Sequence, residues 1–134
     1  MGTLLRTALG AGATALYTTP ATVDLYNPKV VRAAMGAHFR LAIRANVGWE
    51  ALDELLIGCD AVWGADADAD QIYTDVDWKR PTALIIGSED RGITAEGRAR
   101  CTDTLAIPLA ANLESLNAAV AAAIILFEAA RQRR

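Results

Sequence analysis

"IPLAANLESLNAAVAAAI", residues 107–124, carries two signals that do not explain each other. Ala118 to Phe127 is an unbroken run of ten apolar residues and reads as part of a buried helix. Glu114, Ser115 and Asn117 stand directly in front of it, where a helix start leaves backbone N–H groups free. Ser115 reads as the opening of a C-terminal helix that runs to about Arg133, either as an ordinary N-cap or as part of a site. Pro108 closes the terse strand "TLAIP" just upstream. Strand, polar loop and helix form the last unit of an alternating series.

Working back from there, Thr94 caps a short helix through about Cys101, and "TALIIG" (82–87) is an apolar run of the kind that fills central parallel strands. The acidic stretch Asp66–Asp77 is irregular, with a short strand expected at "QIYT" (71–74). "DAVWGA" (60–65) reads as a strand, and Trp49, Leu52, Leu55 and Leu56 have helical spacing before Gly58. "HFRLAIR" (38–44) alternates Phe39, Leu41 and Ile43 with Arg40, Ala42 and Arg44, which predicts a half-covered strand. Asn27-Pro28 opens the helix "KVVRAAM", "ATALYTT" (13–19) is a short strand, and Leu4, Leu5, Ala8 and Leu9 share one face of a first helix ending near Gly10 and Gly12. This order predicts one α/β domain over residues 1–134, with a mostly parallel sheet and helices on both faces.

With 53% hydrophobic and 22% charged residues the chain is a folded globular type with apolar surface to spare, which points to a partner subunit. The longest apolar run falls short of the roughly 20 residues a membrane span needs, and no secretory leader is recognisable, so a cytoplasmic, membrane-free protein is expected. Cys59 and Cys101 lie far apart with no CxxC, so no metal site or disulfide is suggested and both read as reduced, buried fillers. His38, the only histidine, reads as a structural residue. A net charge of −3 argues against a domain-wide basic field. Arg6, Lys29, Arg32, Arg40 and Arg44 nevertheless share the first third with a single acid, Asp24, so either a local basic face or ordinary solvated surface results.

Ligands of parallel sheets bind beyond the carboxyl ends of the strands, which selects two loops. One is "IIGSEDRGIT" (85–94), where Gly87 would let a ligand approach the backbone and Glu89 and Arg91 supply functional groups. By itself it matches an ordinary turn. The other is the stretch that opens this section. With "GTLLRTALGAGA" at the front, these segments together resemble the three motifs of SpoU/TrmH-type methyltransferases of the SPOUT superfamily. The matches are Gly2 and Arg6 to the first, Gly87, Glu89 and Gly92 to the second, and Ile107, Pro108, Ser115, Leu116 and Asn117 to the third. "DLYNPKVVRAAMGAHFRL" and "ILFEAARQR" continue the likeness over the whole chain.

The resemblance implies S-adenosyl-L-methionine-dependent methyl transfer to a ribose 2′-hydroxyl of tRNA or rRNA, on a sheet whose C-terminal part forms a trefoil knot. It implies that Gly87, Ile107 and Leu116 hold the cofactor and that Arg6, Glu89, Ser115 and Asn117 are the catalytic group. Arg6 is always protonated, so its expected work is to clamp a phosphate and stabilise the developing oxyanion, with the general base unassigned. The resemblance further implies a homodimer through the C-terminal helix, in which Arg6 serves the partner's cofactor. It also places the first-motif asparagine and the first strand ahead of Met1, and the N-terminal RNA-binding domain frequent in the family has no counterpart here. The alternative expectation is a non-catalytic module of the same family that dimerises and binds cofactor or RNA; a third is an unrelated α/β enzyme.

Overall fold

The computed structural model describes residues 1–134. Its elements are α1 (Gly2–Gly10), β1 (Ala15–Tyr17), α2 (Pro28–Ala34), β2 (Ala42–Arg44), α3 (Trp49–Leu56), β3 (Ala61–Ala65), β4 (Thr82–Ile85), α4 (Ala95–Arg100), β5 (Asp103–Leu105) and α5 (Ala118–Gln132). Single 3-10 turns stand at Ala37–Phe39 and Tyr73–Asp75. Every strand pairing is parallel, as the strand-then-helix order predicts.

The expected single sheet is two. β1 pairs with β2, Leu16 opposite Ile43, while β3 stands between β4 and β5 in a separate three-stranded sheet. The "TALIIG" strand is therefore at an edge rather than in the centre, and its four residues are only half-buried. Each sheet has its own core. Leu5, Leu25, Ala34 and Leu41 fill one, Val76, Trp78, Leu105 and Ile125 the other.

α5 belongs to both cores. Ile125 and Ala129 are buried in the second, and Leu126 packs on the first. A helix wedged between two cores needs apolar residues on opposite faces, which accounts for Ala122, Ile125 and Leu126 within the run from Ala118 to Phe127, while Val120 and Phe127 stay about half exposed. No hydrogen bond or ion pair links residues 1–47 to residues 48–134; the lobes meet through apolar packing, chiefly of α1 on α5. By contrast α5 is pinned by polar contacts within its own lobe. Gln132 accepts from Trp78 N at 3.0 Å and donates to Val76 O at 3.1 Å, and Arg133 Nε donates to Trp78 O at 2.6 Å.

Several boundaries differ from the sequence reading for local reasons. The strand expected over 38–44 is only Ala42–Arg44, because Met35 and Gly36 take left-handed φ of 52° and 83° and throw the chain into a 3-10 turn. His38 Nε2 anchors that turn on Leu25 O at 2.6 Å, a structural role, and Phe39 points outward at 91% exposure instead of alternating inward. "QIYT" yields only a bridge from Ile72 to Ala106, followed by the 3-10 turn. The last helix starts at Ala118, with Asn117 rather than Ser115 as its cap. Asn27 and Thr94 cap α2 and α4 as expected, accepting from Lys29 N and Gly97 N. Both cysteines are free thiols, but half-buried rather than fully buried, and burial pushes both up from the usual thiol range.

Candidate active site

A cavity of about 390 Å³ opens where the three-stranded sheet ends. Its walls come from Ala65–Asp68 at the end of β3, Ile86–Gly87 after β4, Leu105 and Ile107 at the end of β5, Ser115 and Leu116, and the Ala118, Ala121 and Ile125 face of α5. That volume lies at the lower end of the few-hundred-Å³ range of small-molecule sites. Gly87, Ile107 and Leu116 thus line one space although up to 29 positions separate them along the chain.

Gly87 is required by the chain itself. A Cβ there would lie 2.1 Å from Gly92 C and 2.4 Å from Ile93 N, because the turn folds back on itself. Ser88 N donates to Gly92 O at 3.1 Å and Gly92 N to Ser88 O at 2.8 Å, with Gly92 at φ +68°. The sequence suggested room for a ligand; the nearest backbone is the chain's own, and the glycine lets the turn close tightly enough to leave Glu89 facing the start of α5.

Glu89 joins the two loops. Its Oε1 accepts from Asn117 Nδ2 and, at 3.4 Å, from Ala118 N, while Asn117 Oδ1 accepts from Ala119 N at 3.0 Å and Val120 N at 3.3 Å. The carboxylate and the amide oxygen together satisfy three of the free N–H groups at the positive end of α5. The segment leading into it is tightly turned, with Ala111 and Asn112 at φ of 60° and 55°. An alanine in the left-handed region is strained, and here the strain sits in the loop between Leu109 and Ser115, which both line the cavity. Ser115 and Leu116 follow, and the exposed Ser115 makes no side-chain hydrogen bond within the chain.

Four of the expected residues, Glu89, Ser115, Leu116 and Asn117, therefore meet at one helix entrance, and Gly87 and Ile107 complete the wall. Arg6 does not join them. It is exposed on α1 in the other lobe, outside the cavity lining and without an ion pair. Lys29, Arg32, Arg40 and Arg44 are likewise unpaired, since all six ion pairs involve residues from Asp53 onward. Sequence reasoning missed Asp66 and Arg98, which face each other across the cavity edge as an ion pair. The signal was present: Asp66 directly follows β3, at the carboxyl end of a parallel strand.

The model of the SpoU rRNA Methylase family matches residues 1–127. The chain belongs to that family. A 23S rRNA (uridine(2479)-2′-O)-methyltransferase from Streptomyces viridochromogenes is 38% identical over 99% of this chain and 48% of its own length. The 23S rRNA (guanosine(2553)-2′-O)-methyltransferase RlmP of Bacillus subtilis is 35% identical over 95% of this chain and 51% of its own. The chain spans about half the length of the curated relatives it matches. Among solved structures, the SpoU methyltransferase AviRb of S. viridochromogenes in complex with the cofactor AdoMet superposes with a TM-score of 0.88 at 37% identity, over 98% of this chain and 55% of that one. A structure concerned with 2-OH methylation of C/U34 on tRNA matches at 30% identity and a TM-score of 0.84, over 98% of this chain and 86% of that one. The SpoU fold assignment thus agrees with the parallel α/β arrangement described above.

Proposed function

We propose that this chain is a catalytic domain that transfers a methyl group from S-adenosyl-L-methionine to a ribose 2′-hydroxyl of tRNA or rRNA. The observation that carries the proposal is the joining of the β4 turn to the α5 entrance through Glu89 and Asn117, beside a cavity walled by Ile86, Ile107, Leu109 and Leu116. Gly87, Ile107 and Leu116 would hold the cofactor, the aliphatic pair flanking a flat ring and the main chain reading its edge. A cavity of about 390 Å³ lined by Ile86, Ile107, Leu109 and Leu116 fits such a group. When bound, S-adenosylmethionine supplies an electrophilic methyl carbon on sulfur.

The chain's own residues supply positioning. Glu89 and Asn117 fix the α5 entrance, and Ser115, whose hydroxyl is uncommitted, orients the ribose or the amino-acid end of the cofactor. Arg6, a permanent cation, clamps a substrate phosphate and stabilises the oxygen as it loses its proton. Because Arg6 lies away from the cavity of its own chain, it serves the cavity of a second copy in a homodimer packed through α5, where Val120 and Phe127 are 48% and 46% exposed. The unpaired cations of the first lobe give RNA a local basic surface despite the net charge of −3. No helix is long and apolar enough to cross a membrane, and we place the protein in the cytoplasm. The trefoil knot around the cavity belongs to the same proposal.

Two measurements test it. Calorimetric titration with S-adenosylmethionine should give one site per chain; no heat and no thermal shift at millimolar cofactor would sink the reading. Labelled methyl transfer into bulk tRNA and rRNA should be lost in Arg6→Ala while cofactor affinity stays intact. Binding without transfer in the wild-type chain would favour the non-catalytic cofactor-binding module instead.

A further inference from the structure

The pair Asp66–Arg98 has no part in the reading above, yet both residues line the cavity. The Asp66 side chain is only 21% exposed. Its Oδ2 accepts from Arg98 Nη2, and its Oδ1 accepts from Asp68 N at 3.0 Å. Its backbone is fixed as well, with Asp66 N donating to Leu105 O of β5 at 2.9 Å. Arg98 belongs to α4, whose start is capped by Thr94. Two hydrogen bonds on the carboxylate and one on the backbone therefore hold the residue before any ligand arrives.

A carboxylate has about four acceptor positions, and these two bonds occupy only half of them. Arg98's hydrogen bond holds the Asp66 carboxyl below the usual carboxylate range, so it is an ionised acceptor at neutral pH. The guanidinium beside it offsets its charge. A cavity-lining carboxylate with two acceptor positions left and its charge offset is suited to a pair of adjacent neutral donors. A cis-diol is such a pair. On the remaining walls Ile86, Ile107 and Leu116 are apolar, which suits the flat base that a ribose diol accompanies. The other charged side chains of the lining, Asp68, Glu89 and Arg91, are exposed, and Glu89 is committed to the start of α5.

We infer that Asp66 is a specificity-determining residue that accepts from the 2′,3′-hydroxyls of the nucleoside half of the ligand, with Arg98 as its positioning residue. The inference rests on the reading of this cavity as the S-adenosylmethionine site and adds the residue that selects a ribonucleoside there.

The test uses three probes titrated calorimetrically into the wild-type chain, Asp66→Ala, Asp66→Asn and Arg98→Met. They are S-adenosylmethionine, S-adenosylhomocysteine and the 2′,3′-dideoxy analogue of the latter. The wild-type chain should prefer S-adenosylhomocysteine over its dideoxy analogue by at least tenfold, the scale of hydrogen bonds to a charged group. Asp66→Ala should lower the affinity for both ribose-bearing probes by the same factor and leave the dideoxy probe unchanged, so that the preference collapses. Asp66→Asn, which keeps one acceptor, and Arg98→Met should fall between. Loss of S-adenosylmethionine affinity alone would mean that Asp66 attracts the sulfonium charge, and equal loss for all three probes would mean that it only braces the wall; either result overturns the inference. If the wild-type chain binds none of the probes, the cofactor reading itself has failed, a result distinct from both.

Discussion

At the scale of single residues, the site depends on two side chains and one missing one. Asn117 caps α5 and donates to Glu89, so Asn117→Ala removes a cap worth about 1 kcal/mol and unfastens the two loops together. The expected outcome is a melting temperature lower by a few degrees and a larger, at least tenfold, loss of S-adenosylmethionine affinity, read by calorimetry. Gly87→Ala places a methyl group on the Gly92 carbonyl carbon at 2.1 Å, a contact with backbone that no rotamer relieves. The turn must open, at a cost on the order of 1–3 kcal/mol, and cofactor binding should disappear while the first lobe keeps its fold. A Gly87→Ala chain that titrates like wild type would show that the turn plays no part in the site.

Elements were legible from sequence where a local rule governs them and illegible where distant packing does. Asn27-Pro28 and Thr94 announced their helices because capping is a matter of neighbouring residues. Phe39 and Leu41 mimicked the face of a strand that begins only at Ala42, and the alternation alone did not reveal that Met35, Gly36 and the His38–Leu25 bond would turn the chain first. The edge position of β4 was equally hidden, since an apolar strand reads alike whether it is hydrogen-bonded to a neighbour on one side or on both. Of the site, the loop residues were visible through their likeness to known motifs. Asp66 was not, because an aspartate in an acidic stretch looks like solvated surface until Arg98 is seen beside it.

One element also carries a pH signature. Glu128 of α5 accepts from Arg131 at 2.8 Å through both oxygens and from Gln132 Nε2 at 2.8 Å, which pulls its carboxyl down from 4.5 to about 2. A carboxyl whose pKa is depressed by folding contributes stability that is complete above the unfolded value and fades as pH falls toward the folded one. Urea unfolding of wild type and Glu128→Gln should therefore differ near pH 6 and converge as pH falls from about 4.5 to about 2. A constant difference across that range would show that the Arg131 and Gln132 contacts are not maintained in solution.

At the scale of the whole molecule, two cores share one helix. Leu126→Ala removes apolar contact from the first core while Ile125 and Ala129 remain seated in the second. Native-state hydrogen exchange should show residues 1–47 losing protection by a greater factor than the β3–β5 sheet; uniform loss would indicate a single cooperative unit. The proposed homodimer is tested at the same scale. Phe127→Glu places a charge on the half-exposed face of α5, and sedimentation should show a shift toward monomer, accompanied by loss of methyl transfer but not of cofactor binding.

The seam between residues 1–47 and the rest, which no polar tie crosses, sets how the protein answers its surroundings. Oily joints slacken on chilling and ignore moderate changes in ionic strength, the reverse of a clasp made from charges. Arg6 rides on the half that loosens, so in the proposed homodimer its aim toward the neighbouring cavity would sharpen with warmth. Catalytic output in the cold should then drop faster than occupancy of the cavity, whose own walls are knitted by hydrogen bonds.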